Sequence, residues 1–261
     1  MTDTVLMHEM TWPEFRERLD AGWPVLLGVA ATEQHGPHLP LGTDTLLATE
    51  LLRRAAIQLP AIVAPTVAYG GKSQPRSGGG DAFPGTLSLD AVHLIGTVRD
   101  VLRHLVRHGA RRIAILNGHL ENQWYTTEAI DLAFRDARAE GVHDLVVVHL
   151  TGDDAFSAEL LAEMFPEGFP GFALEHAARI ETSMMAHLFP HLLRADQIPA
   201  DHPPAAFPPF DLHPHALMPV PPSGALAPVR GYGPEFGRRL TEEMIQYIVS
   251  AARTAFATPG E

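Results

Sequence analysis

"RRIAILNGHLENQW" occupies residues 111–124, and the fold turns on how it is read. Arg111 to Asn117 is a short, nearly continuous apolar run, as expected of a strand buried on both faces. Asn117-Gly118 supplies a turn, and helical spacing begins at Asn122. Strands covered on both faces belong to parallel sheets flanked by helices. Directly after the strand stand His119 and Glu121, an imidazole and a carboxylate two positions apart that folding alone does not require.

The same rhythm runs outward in both directions. "PVLLGVA" (24–30), "AIVAPTVA" (61–68) and "DLVVVHL" (144–150) read as further strands. Residues 44–59, 88–109, 122–141 and roughly 234–256 carry apolar residues three to four apart and read as helices. Ser88 is the expected N-cap of the second helix and Gly109 its stop. The alternation predicts an α/β fold, a single domain over residues 1–261, with a mainly parallel sheet and helices on both faces. Ligands of such sheets gather beyond the carboxyl ends of the strands. Two stretches break the rhythm. Residues 69–86 form a Gly-rich loop, and 198–224 is too rich in proline for a regular helix or central strand. Phe207, Phe210 and Leu212 suggest that the second stretch packs on something.

Composition narrows the function. The formal charge of −12 argues against nucleic-acid binding, which needs Lys and Arg to neutralise phosphates. No apolar run approaches the roughly 20 residues of a membrane span, and "MTDTVLMHEMTW" lacks the pattern of a secretory signal. The chain is therefore expected to be cytoplasmic, with a small-molecule partner and neither membrane nor nucleic acid. With no cysteine and 15 histidines, any metal must be held by His, Asp and Glu, a set that suits zinc or manganese.

The first strand repeats the pattern that follows the third. In "GVAATEQHGPHLPLGTDTLLA", Glu33 and His35 are two apart, and extended backbone sends such residues to one side. His119 and Glu121 show the spacing in reverse. Asp44, at the start of a helix, can reach between them or cap that helix. Two histidines and three carboxylates suffice for two divalent ions, which polarise a carbonyl and supply hydroxide near neutral pH. A third cluster, "ALEHAARIETSMM" (173–185), offers Glu175, His176 and Glu181. His176 is the residue type suited to proton transfer near neutral pH. His38 is expected only to line its loop, and His93, His104 and His108 to be solvated on their helix.

"EQHGPHLPLGTD", "NGHLEN" and "EHAARIETS" resemble the creatininase family, the creatinine amidohydrolases, and the resemblance runs from "TWPEF" to the last helix. It implies an α/β fold and two divalent ions, zinc and/or manganese. Glu33, Asp44 and His119 would hold one ion and His35, Asp44 and Glu121 the other, with Asp44 shared. It also implies hydrolysis of a cyclic amide C–N bond, creatinine to creatine. His176 would shuttle the proton beside Glu175, with Glu121 in the same catalytic centre, and the assembly would be a homo-oligomer, a hexamer. The chain departs from the family at the substrate. Leu120 replaces a Tyr, the position of a substrate-covering Trp falls near Asp153, and a Trp-Asp pair is replaced by Phe172 and Ala173. These four positions are expected to form the substrate pocket. The changes keep open hydrolysis of another cyclic or linear amide, and, in a different class, a catalytically silent, metal-stabilised binding or scaffold protein.

Overall fold

Successive strand residues face opposite sides of a sheet, and here each side has its own helices. The computed structural model describes residues 4–257. In chain order the elements are α1 (Trp12–Asp20), β1 (Val25–Val29), α2 (Thr43–Gln58), β2 (Ile62–Val67), α3 (Ala91–Arg107), β3 (Arg112–Asn117), α4 (Asn122–Ala139), β4 (Val146–Leu150), α5 (Ala158–Met164), α6 (Arg179–Leu188) and α7 (Pro234–Ala257). The strands pair in the order β2-β1-β3-β4, and every pairing is parallel. Leu26 and Ala30 of the first strand region and Ala114 and Leu116 of β3 pack with α2, α6 and α7. Val25, Leu27, Val29, Ile113 and Ile115 pack with α3 and α4 on the other face. The α/β architecture with helices on both faces is thus as the sequence predicts.

The chain steps from β1 to one side for β2 and to the other side for β3. The crevice between the carboxyl ends of β1 and β3 is therefore the switch point where such sheets bind ligands. Val29 lies opposite Asn117, and Gly118 N–H donates to Val29 O at 2.9 Å, so the two strands end level. β2 is an edge strand with a bulge. Leu27 pairs with Ala64 but Val29 with Val67, and Pro65 sits in the irregular stretch, where a missing N–H costs the ladder little.

Several expectations are corrected. The long helix starts at Ala91 after Asp90, not at Ser88. Leu89 N–H donates to Gly70 O at 2.8 Å, and this bridge holds the chain extended past Ser88. Its stop is as expected, with Gly109 at φ +110°. Residues 119–121 are not extended either. Asn122 N–H donates to His119 O, so the backbone turns as soon as β3 ends. Helices α1 and α5 have no counterpart in the sequence reading, although Thr11 and Glu14 form a capping box at the start of α1. The 69–86 and 198–224 stretches contain neither α-helix nor strand, as expected.

Candidate metal centre

All five ligand candidates meet at the β1–β3 switch point. Glu33 and His35 follow β1, Asp44 enters from the first turn of α2, and His119 and Glu121 follow β3. Asp44 does not cap its helix, because no side-chain cap bond forms there. Its Oδ1 instead lies 3.0 Å from His35 Nε2 and its Oδ2 3.4 Å from His119 Nδ1. Each oxygen of one carboxylate thus faces a different imidazole, the arrangement a shared ligand needs. Glu33 Oε1 lies 3.0 Å from His119 Nδ1.

Glu33, His35, Asp44 and His119 are all buried. Buried polar atoms normally have partners, yet Glu33 Oε2, His35 Nε2 and Asp44 Oδ2 have no hydrogen bond. The far sides of both imidazoles are occupied. His35 Nδ1 contacts Glu33 O at 3.2 Å and His119 Nε2 contacts Gly71 O at 3.1 Å. A carbonyl only accepts, so these nitrogens carry protons, and the inward nitrogens are the ones whose lone pairs a metal would take, as in metal-ligating histidines. Without a cation the cluster is electrostatically tense. Burial drives the His35 and His119 imidazoles down, but the facing carboxylates outweigh it and hold both well above the usual histidine range. Burial raises Glu33, whereas for Asp44 the two imidazoles override burial and hold the carboxyl below its usual range. The donor set fits divalent ions.

The geometry groups Glu33, Asp44 and His119 as one candidate set and His35, Asp44 and Glu181 as another. Glu181 reaches in from α6 with Oε1 at 3.4 Å from His35 Nε2, while its Oε2 accepts Ala177 N–H at 2.6 Å. Glu121, the expected partner of His35, lies beside His119 Nε2 at 3.2 Å and accepts from Gln74 N–H and the Ser77 hydroxyl.

His176 stacks at a tilt on His35, with ring centroids 4.4 Å apart, and its Nδ1 lies 3.7 Å from Glu33 Oε1. Burial and the neighbouring His35 hold His176 well below the usual histidine range, so it is neutral. Glu175 is buried, with Oε2 accepting Ile180 N–H and Oε1 without a partner, and burial raises its carboxyl to about 8.

A cavity of about 190 Å³ opens on the cluster. Its walls include the expected Leu120, Asp153 and Phe172, with Glu121, Glu175 and His176, but not the expected Ala173, which is exposed. Phe156, unremarked in the sequence, is a second aromatic wall, 6.2 Å from Phe172. Sequence reasoning also missed Gln34 and Asn122. Asn122 donates to Ala30 O and accepts from Gly71 N–H, tying β1 to the 69–86 loop. His38 is buried against Thr182, and His93, His104 and His108 are exposed.

The family model for creatinine amidohydrolase matches residues 8–252. The chain belongs to the creatininase family. A creatinine amidohydrolase from Pseudomonas putida is 43% identical over 98% of this chain and 99% of its own length. A mycofactocin precursor peptide peptidase from Mycobacterium ulcerans is 33% identical over 93% of this chain and 89% of its own. Among solved structures, creatininase with Mn matches with a TM-score of 0.94 at 42% identity over 98% of this chain and 100% of its own. A mutant creatininase of Zn-Zn type matches with a TM-score of 0.94 at 41%, and one complexed with creatine with 0.93 at 41%, each over 98% of this chain and 100% of its own. The fold and the ligand-bearing segments thus lie within the family in full.

Proposed function

We propose that the protein is a metal-dependent amidohydrolase that opens a cyclic amide, creatinine to creatine, at the switch point of the sheet. The observation that carries this reading is the set of buried, unpartnered ligand atoms on Glu33, His35 and Asp44 at the floor of a cavity. Membership of the family and the identity to the Pseudomonas putida enzyme support the substrate.

Glu33, Asp44 and His119 would hold one divalent ion; for the second, His35 and Asp44 would be joined by Glu121 on the family resemblance, with Glu181 the carboxylate that faces His35 in this structure. When bound, zinc or manganese supplies Lewis-acid polarisation of the amide carbonyl and lowers the pKa of water at the site. The remaining work falls to the chain. Neutral His176 accepts a proton from the attacking water and returns it to the leaving nitrogen. Glu175, protonated up to about 8, keeps a second negative charge away from the attacked carbonyl. Two neighbouring groups pushed in opposite directions, one to stay a base and one to stay an acid, are the usual sign of divided acid–base roles. Phe172 and Phe156 cover the flat face of the amide, and Leu120 and Asp153 line the cavity.

The apolar Phe156, Phe172 and Leu120 walls, and the likeness to a peptide peptidase, favour a second reading in which a linear amide is the substrate. Metal-loaded protein assayed on creatinine beside other lactams and short peptides decides between them. Turnover of creatinine at the highest kcat/KM is expected. A higher value for a peptide replaces the substrate, and no turnover of any amide with both ions bound leaves only a binding role. We further propose a cytoplasmic homohexamer with residues 1–261 acting as one unit. No helix among the described residues is long and apolar enough to cross a membrane, and exposed Trp124 and Tyr69 offer apolar contact surface. Light scattering reads the subunit number.

A further inference from the structure

Between Glu33 and His35 stands Gln34, a buried residue whose side chain does not line the cavity. Its amide is fully committed. Oε1 accepts Gly36 N–H at 2.9 Å, which fixes the oxygen on that side. Nε2 donates to Gly78 O at 2.9 Å and to Gly224 O at 3.0 Å. These carbonyls belong to the two long stretches without regular structure, 69–86 and 198–224, which are far apart in sequence and meet at this one amide. Glycine is required around it. Gly79 and Gly224 have φ of +77° and +78°, and a Cβ on Gly224 would stand 2.0 Å from Gln34 Oε1. Close by, Arg76 and Asp211 join the same two stretches at 3.6 Å.

The same residue reaches His176. His176 Nε2 lies 2.8 Å from both Gln34 Nε2 and Gln34 O. An amide nitrogen has two hydrogens, and both are taken by carbonyls that can only accept. Gln34 therefore has none left for His176, and His176 Nε2 must itself carry a proton and donate it to Gln34 O. That leaves the lone pair on Nδ1, the nitrogen facing Glu33 and the metal cluster. The 69–86 loop held by Gly78 also carries Gly71, Gln74 and Ser77, which contact His119 and Glu121.

We infer that Gln34 is a positioning residue for the reaction: it fixes His176 in the Nε2-protonated tautomer and fastens both loops to the metal centre. This rests on the reading of His176 as the proton carrier. Its tests use Gln34→Leu, close in size but without donors, and Gln34→Glu, which turns the donor side into an oxygen facing two carbonyls. With metal content matched to the parent, kcat on the amide that the parent turns over best should fall roughly 10²-fold, the scale of a misaligned proton-transfer group. KM should change less than about threefold, because Gln34 does not line the cavity. Trypsin should cut at Lys72 and Arg76, the exposed basic residues of the 69–86 loop, faster in both variants than in the parent. Long-range ¹H–¹⁵N spectra of ring-labelled histidine, with His176 assigned by its absence in His176→Asn, should give the Nε2–H tautomer in the parent.

Parent protein with His176 protonated on Nδ1 overturns the inference whether or not the variants fold. So does a variant with unchanged kcat, or one whose loss only tracks lost metal. A parent that hydrolyses no amide removes the proposed function but leaves the tautomer and the proteolysis rates to be read on their own.

Discussion

β1 and β3 end in the same three-position pattern written in opposite directions, Glu33-Gln34-His35 and His119-Leu120-Glu121, yet the structure treats them differently. At the first, Gln34 is buried and its side-chain amide is saturated by two loops. At the second, the backbone turns at once, and Leu120 is 39% exposed and lines the cavity. One strand end is clamped from behind and can only present ligands. The other is open and can also meet substrate. Equal spacing in sequence therefore does not imply equal duty; the middle residue decides.

Breaking both ends together should have the largest effect. Asp44 is the carboxylate that faces both imidazoles, so Asp44→Asn should cost both ions by metal analysis and lower kcat/KM by roughly 10³-fold or more. Glu121→Gln touches the open end alone and should remove one ion and cut the rate roughly 10²-fold. Its counterpart Glu181→Gln should keep both ions and lose less, about tenfold, since only one Glu181 oxygen faces His35 Nε2 while the other is held by Ala177 N–H. A Glu181 variant that loses an ion while the Glu121 variant keeps two would exchange their roles. Leu120→Tyr should leave metal content intact and move KM by up to about tenfold, in a direction set by the substrate, because Leu120 is an apolar residue that lines the cavity.

The smallest effect concerns stability near the clamped end. Burial and the nearby His35 lower His38 to about 4. The unfolded chain protonates this imidazole near 6.5, so stability is complete above that pH and drains away as pH falls toward 4. His38→Gln, which keeps a group for Thr182, should remove that pH-dependent loss, on the order of 2 kcal/mol across the window. An unchanged pH dependence of urea midpoints would remove His38 from the account.

Much of this was legible from residue order because it is local. The strands show as short apolar runs, and their two-sided burial follows from having no polar alternation. The candidate ligands at β1 and β3 show because a common parallel sheet brings strand ends together. What stayed hidden is carried by distance in sequence or by backbone bending. Glu181 approaches His35 from α6, and nothing in the intervening chain encodes that approach. Extended backbone would put Leu120 on the side opposite His119 and Glu121; the turn from His119 to Asn122 cancels that. Ser88 looked like a cap until the Gly70–Leu89 bridge claimed its neighbour. The duties of 69–86 are invisible in its Gly-rich composition, since they rest on single backbone groups meeting Gln34, His119 and Glu121.

The bulged edge strand β2 has a consequence for how copies of the chain can meet. An open strand edge invites another chain to zip onto it through main-chain hydrogen bonds. Here Ile62 N–H turns inward to Pro24 O, Val63 gives its outward N–H to Val5 O, and Pro65 has none to give. Along residues 62–65 that side of the sheet offers no free N–H to extend the ladder, which favours contact between copies of the chain through side-chain surfaces rather than through strand pairing there.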